Sequence, residues 1–256
     1  MLLAVDIGNT NVVAGIFVGR ELRASFRYET VRNRSADEQA VLLGQLLSLH
    51  HISEKDIVGS VVCSVVPQVT DATCRAIQTV AGVVPWVVGD ARLKIGIRIL
   101  SDNPREVGAD RIVNVIAARE LTSNAAIVVD FGTATTFDCM SADGDYVGGA
   151  IVPGVQISLD ALVSHAAKLS RVDLVAPKRA IGKNTTHALQ SGIVFGYAAL
   201  VDGLVERLSA ELGPKVTVLA TGGLAELIAS HTRSIERVVP SLTLDGLCSI
   251  YESQRN

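Results

Sequence analysis

Apolar and polar residues follow one rhythm along the first half of this chain, and the same rhythm starts again in the second. "LLAVDIGNTN" is an apolar run interrupted by Asp6 and broken at Gly8. That is the pattern of a buried strand entering a tight turn, with Gly8 expected to take the positive φ that other residues resist. "NVVAGIFV" and "ELRASFRYET" read as two more strands, the second alternating cleanly, with Gly19-Arg20 as the hairpin turn between them. The expectation is an antiparallel meander. A helix follows in "SADEQAVLLGQLLSLHH", where Ser35 and Glu38 have capping-box spacing and Ala40, Leu43, Leu46 and Leu47 form an apolar stripe. Then "DIVGSVVCSVV" predicts a strand, "PQVTDATCRAIQTVAG" a helix opened by Pro67 and closed by Gly82, and "VPWVVG" a strand. Alternation of this kind implies a mixed sheet with crossover helices.

Turn formers dominate "IRILSDNPREV", and "GADRIVNVIAARELTS" then opens a helix. From Ala125 the first meander repeats: the strand "AIVVDFG", the strand "TTFDCMSA", a turn at Asp143-Gly144-Asp145, and the strand "YVGGAIVP". Asp6 and Asp130 lie almost half the chain apart, and the same shift carries Gly8 onto Gly132. A duplicated α/β domain is the economical explanation, with the first domain over residues 1–117 and the second over 118–256. The terminal helix, 241–253, is free in sequence to pack back on the first. A helix from about Pro153, a long one over 185–212 and the strand "KVTVLATGG" complete the second half. The long helix places Gly192, Gly196, Ala199 and Gly203 at near-helical spacing. Each interior glycine costs about 1 kcal/mol relative to alanine, so close packing against another helix or subunit is expected to compensate.

Composition narrows the partner class. Lys plus Arg total 23 against 26 Asp plus Glu, a formal net charge of -3, so the basic footprint of nucleic-acid binding is missing. No run reaches the roughly 18 uninterrupted apolar residues of a membrane span. Asp6 sits too early for a signal peptide, and the expected location is the cytoplasm. Cys63, Cys74, Cys139 and Cys248 have no CxxC spacing and read as reduced core thiols, and the five histidines have no zinc-ligand spacing.

Two D-x-G turns carry the chemistry. Consecutive backbone N–H groups in such a turn form an anion-binding concavity, and Asn, Thr or Ser side chains add neutral donors, which suits phosphate. An adjacent carboxylate suits the hydrated cation that accompanies polyphosphate. Two such turns could clamp one polyphosphate, and the paired glycines of "LATGG" would let a flat ring approach the backbone. Walker and GxGxxG patterns are both absent. "GADR", residues 108–111, puts an acid and a base at a helix start, where Asp110 could accept a hydroxyl proton and Arg111 could pair with an anion. On spacing alone, plain helix stabilisation by Asp110 with Arg111 on the surface is the slightly better account of the same residues.

These residues closely resemble the type III pantothenate kinases. The matching segments are "DIGNTN" at 6–11, "NPREVGADRIVN" at 103–114, "DFGTATTFD" at 130–138, "GGAIVPG" at 148–154, "IGKNTTHALQSG" at 181–192 and "ATGG" at 220–223. The resemblance implies two duplicated actin-like domains, of the ribonuclease H-like sugar-kinase and Hsp70 superfamily, with nucleotide in the cleft between them. It implies ATP-dependent phosphorylation of pantothenate to 4'-phosphopantothenate, at the entry to coenzyme A synthesis. By it, Asp6, Ile7, Gly8, Asn9, Thr10, Asn11, Val12 and Val13 would bind ATP phosphates with Thr133. Asp130 would hold a monovalent cation, potassium or ammonium, and magnesium would accompany ATP. Gly108, Ala109, Asp110 and Arg111 would bind pantothenate with Asp110 as general base, and Thr185 would contact substrate. A homodimer is implied, with no nucleic-acid or membrane partner. One departure is Ser101, where many relatives have a tyrosine. A regulator that keeps the fold and a kinase acting on a sugar or another small alcohol are the competing readings; retention of Asp6, Asp110 and Asp130 together favours a kinase.

Overall fold

A computed structural model describes residues 1–166 and 169–255. The chain divides into two compact units: Met1–Arg98 with Asn103–Ala117 and Leu242–Asn256, and Ile99–Asp102 with Ala118–Ser241.

In the first unit the meander forms as β1 (Leu2–Ile7), β2 (Asn11–Val18) and β3 (Glu21–Glu29). Helix α1 (Ala36–Leu49) follows, and its Ser35–Glu38 capping box is formed in both directions. Strand β4 (Gly59–Ser64), helix α2 (Pro67–Ala81) and the short β5 (Trp86–Val87) complete the alternation. Gly82 ends α2 with φ at 70°, the left-handed cap for which glycine alone has no steric penalty. The sheet order is β3-β2-β1-β4-β5, with β1 antiparallel to β2 and parallel to β4. Side chains alternate, so Leu3, Val5, Ile7 and Val62 face a core shared with Leu43, Leu47, Val69 and Ile77. The opposite face of β1 and β4 receives the last helix of the chain, α7 (Leu242–Ser253), which also meets the beginning of α3 (Ala109–Leu121). A Cβ on Gly246 would overlap the carbonyl of Val113, so glycine permits that approach.

The second unit repeats the plan with β6 (Ala125–Phe131), β7 (Ala134–Met140), β8 (Tyr146–Pro153), β9 (Val216–Thr221) and β10 (Arg237–Val238), in the order β10-β9-β6-β7-β8. Helices α4 (Val155–His165), α5 (Thr185–Leu212) and α6 (Ala225–Ala229) accompany them. The near-continuous burial of β1 and the burial pattern of β2 recur along β6 and β7, with Asp6 and Asp130 at the same half-buried step. Ile127, Val129 and Phe137 pack with Val194, Tyr197 and Val201 of α5.

Helix α5 is long and apolar enough to cross a membrane by length and composition, with 39% of its most apolar window buried inside the chain. Its glycines find no packing partner inside the protomer, which leaves a subunit as the surface expected to cover them. Among the described residues nothing lies within 4 Å of a Cβ built on Gly192, Gly196 or Gly203, so these residues are not tightly packed in the protomer. Small side chains here leave a smooth outer face instead.

Candidate active site

Asp6 is the last polar step of β1 before the turn, paired across the sheet with Val13 on one side and Cys63 on the other. The turn is closed by the Gly8 N–H donating to the Asn11 carbonyl at 2.9 Å. It is braced by Thr30, whose hydroxyl donates to the Gly8 carbonyl at 2.7 Å and whose N–H donates to the Thr10 carbonyl at 2.9 Å. Gly8 does not take the positive φ expected of it; neither does Gly132. Proximity explains Gly8 instead, since a Cβ there would lie 3.1 Å from the Asn11 oxygen. Ile7 and Val12 send their side chains into the core, 0% and 1% exposed, so only their backbone can serve a ligand. Asn9 and Thr10 are exposed at the tip, and Asn11 and Val13 are half-buried.

Asp110 stands in the first turn of α3, beginning at Ala109, and its carboxylate folds back over Gly108. A Cβ on Gly108 would sit 2.5 Å from Asp110 Oδ1, so a side chain there would push the carboxylate from this position. The Arg111 N–H donates to Oδ1 at 2.8 Å. Burial raises the Asp110 carboxyl above the ordinary carboxylate range, while the N–H and guanidinium of Arg111 pull in the other direction. Both carboxylates, Asp6 and Asp110, act on the same thiol: Cys63 is fully buried, in register with Asp6, and pushed well up by burial and then by these two charges. The first unit therefore puts Asp6 and Asp110 within electrostatic reach of Cys63. Cys63 read from sequence as a core thiol and nothing more, because only strand pairing places it beside Asp6.

The second unit builds an equivalent corner. Asp130 pairs with Thr136 and Thr221 as Asp6 pairs with Val13 and Cys63. Thr133 and Gly132 are exposed at the turn. Gly154, the N-cap of α4, lies so close beneath them that any Cβ would overlap the Thr133 carbonyl. Gly222 has φ at 94°, and a Cβ on it would fall 2.6 Å from both Asp130 Oδ1 and the Phe131 oxygen. The "LATGG" glycine thus accommodates the Asp130 carboxylate and its backbone, a role that flat-ring binding alone does not predict. Thr185 is the exposed first residue of α5, after Asn184, whose Oδ1 accepts from the His187 N–H at 2.8 Å. Ser101 has a buried hydroxyl with no hydrogen-bond partner.

Among the described residues no three His, Cys, Asp or Glu side chains gather to hold a metal. A carboxylate beside a glycine turn suits a cation that keeps much of its coordination to phosphate and water, as magnesium does.

A family model for type III pantothenate kinases matches residues 2–207. The chain belongs to this family. A type III pantothenate kinase of Moorella thermoacetica is 51% identical over 98% of this chain and 99% of its own, and one of Roseiflexus sp. is 50% identical over the full length of both. Solved structures extend the likeness at fold level. A Campylobacter jejuni protein assigned to the Baf family of transcriptional activators superposes with a TM-score of 0.60 at 19% identity over 99% of each chain. Component A of the Acidaminococcus fermentans (R)-2-hydroxyglutaryl-CoA dehydratase does so with a TM-score of 0.57 at 14% identity, over 100% of this chain and 99% of that one. The two α/β units have an actin-like fold.

Proposed function

We propose that this chain transfers the γ-phosphoryl group of ATP to the primary hydroxyl of pantothenate, giving 4'-phosphopantothenate and ADP. Asp110 is the general base. The observation that carries this reading is the Asp110 carboxylate, folded over Gly108 at a helix N-terminus and within electrostatic reach of the thiol in register with Asp6. Phosphoryl transfer has a loose transition state, so catalysis is mainly positioning and charge neutralisation. Asp110 orients the acceptor hydroxyl and takes its proton as the new P–O bond forms and the bond to the ADP oxygen breaks. A carboxylate raised by burial is better matched to that proton than an ordinary one.

In the same reading the backbone N–H groups and side chains from Asp6 to Val13, with Thr133, hold the ATP phosphates, and Asp6 orients the hydrated magnesium. Magnesium and a potassium or ammonium ion at Asp130 would supply charge neutralisation of the phosphates. Gly108, Ala109, Arg111 and Thr185 bind pantothenate, Arg111 suiting its carboxylate. The bare small-residue face of α5, with Gly192, Gly196 and Ala199 exposed, supports a homodimer. A cytoplasmic location follows from the intracellular supply of ATP that the reaction uses.

The test is ADP release by purified protein with magnesium-ATP, with and without pantothenate, in potassium, ammonium or sodium. Turnover that requires pantothenate and is stimulated by potassium or ammonium is expected. Turnover with another alcohol but not pantothenate would replace the acceptor. No turnover with any acceptor would favour a binding protein.

A further inference from the structure

Of the groups in the first unit's corner, Cys63 alone has no part in the chemistry just described. Its strand, β4, runs parallel to β1 with Cys63 in register with Asp6, so both side chains project from the same face of the sheet. The thiol is 0% exposed. Strand register sets the Asp6 carboxylate, a hydrogen-bond acceptor, next to the S–H, and the charges of Asp6 and Asp110 both push the thiol up, after burial. A buried side chain inserted beside two anions must be neutral or cationic, and a cation there would compete with the magnesium that Asp6 orients. A neutral donor satisfies one lone pair of Asp6 while leaving its charge in place.

We infer that Cys63 is a positioning residue, its S–H holding the Asp6 carboxylate in the orientation that serves the nucleotide's magnesium. This rests on the kinase reading. The thiol touches no reacting atom. Its sulfur keeps Asp6 from swinging toward Asp110, where two carboxylates would repel and one would be lost to protonation. Thr221 stands at the matching register position beside Asp130 and is also buried, so each half of the duplication puts a short side chain with a hydrogen to donate next to its turn aspartate.

Three variants separate this role from core filling. Cys63→Val removes the donor with a larger apolar side chain, Cys63→Ala removes it with a smaller one, and Cys63→Ser keeps a donor. The expected pattern is a roughly ten-fold fall in kcat for the valine and alanine variants, with pantothenate KM unchanged. The serine variant is expected within about three-fold of wild type. Circular dichroism and melting temperature identify any variant that misfolds. Full activity in a folded Cys63→Val or Cys63→Ala, or a serine variant as impaired as alanine, would overturn the inference, because packing would then account for Cys63. The infrared S–H stretch of Cys63, isolated by difference against Cys63→Ser, provides a readout independent of turnover. It should move to higher frequency in Asp6→Asn, and an unmoved band would remove the thiol–carboxylate bond. Wild-type protein without pantothenate-dependent turnover would instead unseat the kinase reading, whatever the band does.

Discussion

Gly222 and Asp130 are in contact across neighbouring strand ends: a Cβ on Gly222 would lie 2.6 Å from the Asp130 Oδ1. The glycine also has φ at 94°, where an L side chain is strained. Gly222→Ala should therefore push the carboxylate aside and destabilise the second unit, by about 1–3 kcal/mol. Thermal unfolding would register the loss. Assays across potassium concentration should show weakened activation, whereas an unchanged potassium response would detach Asp130 from the cation.

Asp110→Asn keeps the shape of the side chain and removes the base. Turnover should fall by about 10²- to 10⁴-fold while ATP affinity stays near wild type, as read by single-turnover kinetics and calorimetry. Unimpaired turnover would eliminate Asp110 as base.

The same residue links stability to pH. Burial raises its folded-state carboxyl above the unfolded value, so folding is least hindered below the unfolded value and is penalised as pH rises through the folded one. Asp110→Asn should thus melt at a higher temperature than wild type at pH 7 to 8. The gap should narrow as pH falls toward about 4, the ordinary aspartate range. Melting curves of both proteins across that range provide the check, and a gap that widens on acidification would contradict the burial argument.

The outer face of α5 offers a test of assembly. Because Gly196 is exposed and its Cβ position is empty within the chain, a bulky residue there is harmless to the protomer and obstructive to a neighbour. Gly196→Trp should shift a homodimer to monomer in light scattering with little change in helical content. A dimer that persists would locate the interface elsewhere.

Thr135 is 0% exposed and its Oγ1 has no hydrogen-bond partner. Thr135→Val preserves shape and removes the unsatisfied hydroxyl, so it should stabilise the protein by about 1 kcal/mol in denaturant titration.

Much of this protein was legible in its residue pattern. Strand alternation and caps such as Ser35–Glu38 and Pro67 to Gly82 are local, governed by side-chain periodicity and by hydrogen bonds within a few residues, and they appear in the structure at the predicted places. The repeated D-x-G turns were visible because duplication left both copies with the same apolar run before the acid. The reason for their glycines was not visible: φ and close approach leave the same letter in a sequence, and only the position of the Asn11 carbonyl distinguishes them at Gly8.

By itself the sequence determined the family and the two rounds of strands and helices, and it offered the acidic residues proposed for phosphoryl transfer, since each is written in periodicity, turn chemistry or motif. Only the tertiary structure decided that α7 lies against β1 and β4, that Cys63 stands beside Asp6, that Gly108 yields its space to Asp110, and that Gly222 yields its space to Asp130. Those relationships join residues far apart in the chain or depend on a fold-back of a side chain. They are set by strand register and close packing, which no local pattern of letters encodes.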